Sequence, residues 1–252
     1  MTTPWLQWTA AVTAAEAVGF LVPAAVGATT THAAPAVGWG GLLLAGAVEG
    51  TFLGVAQAWV LGRIFPGLDR RRWVRFTSAA AVAAYALAGA AVWSMTWSSR
   101  WAGVAAAATA GALLLLSLGG AQVVELRRHV PRAGRWVLWT AGAWLLALGA
   151  FLGIATPLWH EGQPVVLTVA YGALAGVVMA FVQAAVTGWG LLRMVDQRQS
   201  RASAAFSGSS PSEPRSRAAV WNPFRSKADP ARAAASSRAS SQIRSPTLYD
   251  GA

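Results

Sequence analysis

Residues 38–61 read GWGGLLLAGAVEGTFLGVAQAWVL, an apolar run broken only by one carboxylate, Glu49, one hydroxyl, Thr51, and one amide, Gln57. About 20 such residues carry an α-helix across a hydrocarbon core about 30 Å thick. The chain then turns basic at Arg63, Arg70, Arg71, Arg72 and Arg75, and apolar again from residue 77. A span, a basic loop and a second span make a helical hairpin that turns in the cytoplasm, because Lys and Arg in short loops stay on that side of a membrane.

Outward from this hairpin the same scan finds further spans, so that the predicted set is 5–28, 38–61, 77–97, 102–125, 136–157 and 165–192. Composition agrees. The chain of 252 residues is 55% hydrophobic and only 12% charged, about half the charged share of a soluble domain. The predicted fold is all-α: a polytopic membrane protein with six transmembrane helices in residues 1–194. With no Cys in the chain, a disulfide framework, thiolate chemistry and Cys-ligated metal are excluded.

Of the 20 Lys and Arg residues, all but Arg100 fall in three blocks: the loop just described, a second loop with Arg127, Arg128, Arg132 and Arg135, and the C-terminal region. The alternation puts both termini in the cytoplasm and the connections near His32, Arg100 and His160 outside. Trp placement is expected to match, with Trp39, Trp97, Trp101 and Trp159 at the outer boundary and Trp5, Trp8, Trp73, Trp136 and Trp189 at the inner one. A cleaved signal peptide is the competing reading of residues 1–36. The N-terminal MTTP carries no Lys or Arg and Glu16 interrupts the apolar stretch, which argue against it.

Beyond the last span the composition shifts to Ser, Ala, Arg and Pro, with thirteen Ser between Ser200 and Ser245. Residues 195–252 are read as a disordered, basic cytoplasmic tail, with Trp221-Asn222-Pro223-Phe224 as an aromatic island that can touch lipid.

Leu53-Gly54-Val55-Ala56-Gln57 recurs as Leu118-Gly119-Gly120-Ala121-Gln122, and Leu61, Arg63 and Pro66 recur as Leu126, Arg128 and Pro131. Arg72-Trp73 and Thr77 then return as Arg135-Trp136 and Thr140. Two tandem hairpin repeats of the same direction follow, parallel rather than inverted. The sixth helix, with Gln183 and Arg193, is at most a worn third copy. The string Glu49-Gly50…Leu53-Gly54…Gln57…Leu61-Gly62-Arg63, with its second copy at Gln122 and the Arg-His-Val-Pro-Arg-Ala-Gly-Arg-Trp loop, resembles a group of multi-pass integral membrane proteins of high-GC actinobacteria. The resemblance covers residues 1–195 and implies a membrane fold and a lineage; it implies no activity and no catalytic residues.

Five polar side chains sit inside predicted spans. Glu16 and Glu49 lie near mid-span, where a carboxylate is costly unless protonated, paired or facing a wet cavity. They read either as a proton- or cation-binding site between helices 1 and 2, or as neutral carboxyls bonded to a neighbouring helix. Gln57, Gln122 and Gln183 lie deeper on helices 2, 4 and 6. They are read as one converging polar cluster or as separate interhelical bonds. Small residues every four positions in helix 2 (Gly46, Gly50, Gly54, Ala58, Gly62) and helix 6 (Gly172, Gly176, Ala180, Ala184, Gly188) are read as close-packing stripes.

The histidines do not assemble a metal site in this topology, and no zinc-protease helix, nucleophile elbow, phosphate loop or dinucleotide fingerprint is present. The reading leans away from an enzyme and needs no cofactor and no metal. Expected partners are the bilayer itself, anionic lipid head groups at the cytoplasmic face, held by Arg70, Arg71, Arg72, Arg127, Arg128 and Arg135, and membrane or cytoplasmic proteins; nucleic acid is not among them. The expected function is a structural or accessory component of the bacterial plasma membrane, or alternatively a small proton-linked carrier using Glu16 and Glu49.

Overall fold

Thr3 opens the first helix: its hydroxyl accepts from the Leu6 N–H at 3.4 Å, and Pro4 takes the first helical position, where no N–H is needed. In the computed structural model, which describes residues 3–30, 33–97 and 99–207, six helices follow: α1 Pro4–Thr29, α2 Pro35–Ile64, α3 Arg70–Trp97, α4 Arg100–Leu126, α5 Arg135–Leu158 and α6 Val165–Ser207. Among the described residues there is no strand. All six helices are long and apolar enough to cross a membrane, the architecture of a multi-pass membrane protein. The chain divides into two units, 1–214 and 215–252, and the second lies outside the described residues.

The helices overrun the apolar stretches that announce them. Helix α3 starts at Arg70 rather than 77, because Asp69 caps it: Oδ1 of Asp69 accepts from the Arg72 N–H at 3.0 Å. Helix α6 does not stop at 192, and the expected disordered tail from 195 is corrected over its first thirteen residues, which are helical to Ser207. No Gly or Pro stands between Leu191 and Ser207 to break the helix. Leu191, Met194 and Val195 are buried, and Arg135 Nη1 donates to Gln197 Oε1 at 3.0 Å. The rest of the tail reading, 208–252, lies outside the described residues.

Each helix packs on its two chain neighbours, and α6 closes on α1, so the six form a ring. The α2 stripe makes its closest approach to α3. A Cβ on Gly54 would stand 3.0 Å from Val74 Cα, and one on Gly119 2.7 Å from Val137 Cα, so the α2–α3 and α4–α5 pairs are closed by glycines at corresponding positions.

Side chains fill the ring near the basic loops. Trp8, Trp73 and Trp136, from α1, α3 and α5, are fully buried. Trp8 meets Trp136 edge-on with ring centroids 5.9 Å apart, and Trp73 lies 6.4 Å from Trp136. The expectation that these three anchor the inner lipid boundary is therefore corrected: each indole N–H has a partner inside the ring, which a lipid-facing Trp does not need. Trp39, Trp101, Trp159 and Trp189 are exposed.

Candidate functional site

The indole of Trp73 donates to Gln57 Oε1 at 3.2 Å, and that of Trp136 donates to Gln122 Oε1 at 2.8 Å. Gln122 Nε2 in turn donates to Gln57 Oε1 at 2.7 Å and to Thr77 Oγ1 at 3.0 Å. Two of the three glutamines are thus brought together. Gln183 is buried on the α6 side with its Oε1 lacking a partner among the described residues, and Trp8 donates to Thr187, one turn further along α6, at 3.0 Å. Together these side chains make a tryptophan–glutamine plug across the ring.

Beginning about one helical turn away, roughly 6 Å at 1.5 Å per residue, lies a cavity of about 170 Å³ to which every helix contributes. Leu53, Leu118 and Met179 line it, each four residues from the glutamine of its own helix, and separate the plug from the polar groups. Those polar groups are Glu16 from α1, Glu49 from α2 and Tyr85 from α3. Both mid-span carboxyls therefore face one cavity.

Their surroundings differ. Tyr85 Oη donates to Glu49 Oε2 at 2.6 Å, and its ring is seated against Gly46, where a Cβ would stand 2.6 Å from Tyr85 Cδ2. Gly19 lies directly on Glu49, since its Cβ would meet Glu49 Cα at 3.2 Å. Glu16 is fully buried, and no hydroxyl, amide or cationic side chain among the described residues donates to its oxygens; its partner is the Glu49 carboxyl. The ionisable group nearest to it is the Glu49 carboxyl. Among the described residues, no Lys, Arg or His lines the cavity. The Trp144 indole N–H, on another lining residue, is buried and unpartnered among the described residues. An acidic pair, a phenol and an otherwise apolar wall can hold a proton or a compact cation.

A second carboxylate cluster was not anticipated from the sequence. Glu125, buried at the end of α4, ties the two basic loops together: Arg72 Nε and Arg128 Nη1 stand 3.6 and 3.7 Å from its Oε2. His129 Nε2 lies 3.4 Å from its Oε1, which also accepts from the Asp69 N–H at 3.3 Å. His129 stacks on Phe65 of the other loop, 5.7 Å between centroids. The spacing of Glu125 to Arg128 and His129, three and four residues on, was the available signal. Of the expected lipid contacts, Arg72 and Arg128 are engaged here and Arg135 with Gln197, whereas Arg70, Arg71 and Arg127 are exposed. His32 lies outside the described residues, and His160 uses its backbone N–H on Gln163.

Compared with protein-family models, curated proteins and solved structures, the chain matches none of them.

Proposed function

We propose that this chain is a multi-pass protein of the bacterial plasma membrane, with both termini cytoplasmic, that exchanges a proton for a small cation at Glu16 and Glu49. The observation that carries the reading is the Glu16–Glu49 carboxyl pair, with Glu16 fully buried in a cavity wall and without a hydroxyl, amide or cationic donor among the described residues. A carboxyl kept as packing glue bonds to a neutral partner on a neighbouring helix; this one meets a second carboxyl, Glu49, at the wall of a cavity. Binding then balances simply: a carboxyl that carries a proton in one half of the cycle releases it when the cation arrives.

Within this reading, α2–α3 and α4–α5 are tandem parallel hairpins. The matched Trp73–Gln57 and Trp136–Gln122 bonds and the matched glycines support the duplication. The motif Trp-x-x-(Trp/Phe)-Thr opens α1 (Trp5 to Thr9), α3 (Trp73 to Thr77) and α5 (Trp136 to Thr140), so α6 with α1 supplies a third, divided hairpin across the ring closure. Arg70, Arg71 and Arg127 are free to meet anionic head groups.

A structural or accessory role is the second reading, favoured by the tryptophan–glutamine plug. The discriminating experiment measures proton flux in liposomes holding the full chain, comparing wild type with Glu16→Gln and Glu49→Gln. Under the exchange reading both variants lose cation-dependent flux while still assembling. Absence of flux in the wild type with every cation tried leaves the accessory role.

A further inference from the structure

We infer that the cation bound between Glu16 and Glu49 is a compact lipophilic ammonium, a primary amine bearing a single aromatic ring or a branched hydrocarbon of similar size, rather than an inorganic ion. This rests on the exchange reading above and names its ligand. Three observations select the class: the adjacent carboxyl pair, the character of the wall and the volume.

The Glu16 carboxyl is paired with that of Glu49, Tyr85 donates to Glu49 Oε2, and no hydroxyl, amide or cationic side chain among the described residues donates to Glu16. Two adjacent carboxyls, once one proton has left, offer acceptors to the three N–H donors of a primary ammonium. A hard metal cation requires more: six to eight oxygens for calcium and near-octahedral oxygen for magnesium, where this cavity supplies two carboxyls and a phenol. The largest side chains of the remaining wall include Phe20, Leu114, Leu118, Trp144, Leu148 and Met179. Such a surface rewards hydrocarbon and strips water from a hydrated ion, and Phe20 and Trp144 add aromatic faces of the kind that attract an ammonium. The volume of about 170 Å³ sets the size, since a cavity of about 150 Å³ accepts benzene. One ring on a short arm fits this volume.

The binding step conserves charge. The ammonium enters, one carboxyl proton leaves, and the ion pair R–NH3+ with a carboxylate replaces the neutral acid. Glu49 and Tyr85 are the other titratable groups of the wall facing Glu16. Because a proton is displaced, affinity rises with pH until the amine itself loses its proton.

The test is calorimetric titration of the full chain in detergent, run in two buffers of different ionisation enthalpy so that proton release is counted. The probes are 2-phenylethylamine, its neutral counterpart 2-phenylethanol, methylammonium, and sodium or potassium chloride. Phenylethylamine is expected to bind with release of one proton, about tenfold or more tighter than the alcohol, as a charge-assisted bond requires. Glu16→Gln should remove that preference. Leu148→Trp, which fills the cavity and keeps both carboxyls, should exclude phenylethylamine and spare methylammonium, and it reads the site even where Glu16→Gln fails to assemble. Equal binding of amine and alcohol, or binding of phenylethylamine undiminished by Leu148→Trp, overturns the assignment. Proton release on adding sodium or potassium but not the amine overturns the ligand class and keeps the exchange reading; release with none of the cations from monodisperse wild type overturns both.

Discussion

The Gln122 amide donates to Gln57 Oε1 at 2.7 Å, joining α4 to α2 across the inside of the ring. Each glutamine also receives an indole N–H, so replacing one leaves a buried donor without its acceptor. Gln122→Leu should therefore destabilise the protein by about 1–3 kcal/mol, the cost of an orphaned buried polar group. The Gln57→Leu and Gln122→Leu pair should be less than additive, with a coupling of about 0.5–1.5 kcal/mol. Thermal unfolding of the four proteins of the cycle in one detergent checks this; strict additivity would mean that the bond contributes nothing.

Glu125 is the acceptor on which Arg72, Arg128, His129 and the Asp69 N–H converge. Since the carboxylate is buried while both arginines reach solvent, Glu125→Ala should cost about 1–3 kcal/mol, mainly through the lost anchor for the two loops. Limited proteolysis should then cut near residues 66–69 and 127–134 faster than in wild type. Unchanged cleavage would show that the loops are held by other contacts.

Topology is testable without background labelling, because the chain has no Cys. Cysteines at Ser99 or Gly162 should react with an impermeant thiol reagent added to intact cells, whereas cysteines at Gly67 or Gly134 should react only after permeabilisation. Gly134 is the better inner probe, since neighbouring Ala133 is buried. Reaction at Gly67 in intact cells would invert the orientation.

The six helices were legible because apolar length alone marks a membrane span. What was not legible follows from the same composition. In runs of Ala, Leu and Gly the helix is apolar all round, so the sequence does not say which Trp faces lipid and which faces the ring. Trp8 and Trp136 read as interface anchors for that reason. Glu16 and Glu49 stood out as isolated carboxyls, and their common cavity depends on α1 and α2 packing side by side. Tyr85, which completes the site, is an ordinary residue until Gly46 seats it. Ring closure of α6 on α1 joins residues about 180 positions apart and has no local signal.

The helical extension of α6 separates two truncations. Removal of residues 208–252 leaves every described contact in place, so insertion and thermal stability should be unchanged. Removal from residue 196 onward also deletes Gln197, the partner of Arg135, and Arg198, whose guanidinium lies 5.6 Å above the Phe65 ring. That truncation should lower the melting temperature by a few degrees, in line with about 0.5–1.5 kcal/mol for two partly exposed polar contacts. Equal melting of the two truncated proteins would show that residues 196–207 add nothing to the bundle.

Glycine substitutions should split by sign, because the helices use glycine in two ways. At Gly149 and Gly111, in the interiors of α5 and α4, an added Cβ meets nothing within 4 Å. Alanine there should stabilise by about 0.5–1 kcal/mol through reduced chain entropy. At Gly46 the added Cβ would stand 2.6 Å from the Tyr85 ring, so the ring must move, and with it the hydroxyl that holds Glu49 at 2.6 Å. Gly46→Ala should therefore destabilise by about 1–3 kcal/mol, the usual cost of overpacking. It should also weaken ligand binding by more than Tyr85→Phe does, because it alters the shape of the cavity as well as removing one hydrogen bond. Melting curves and titration of the four variants side by side test both halves. If Gly46→Ala melts like Gly149→Ala, Tyr85 is not seated on α2 and the wall of the cavity has been drawn in the wrong place.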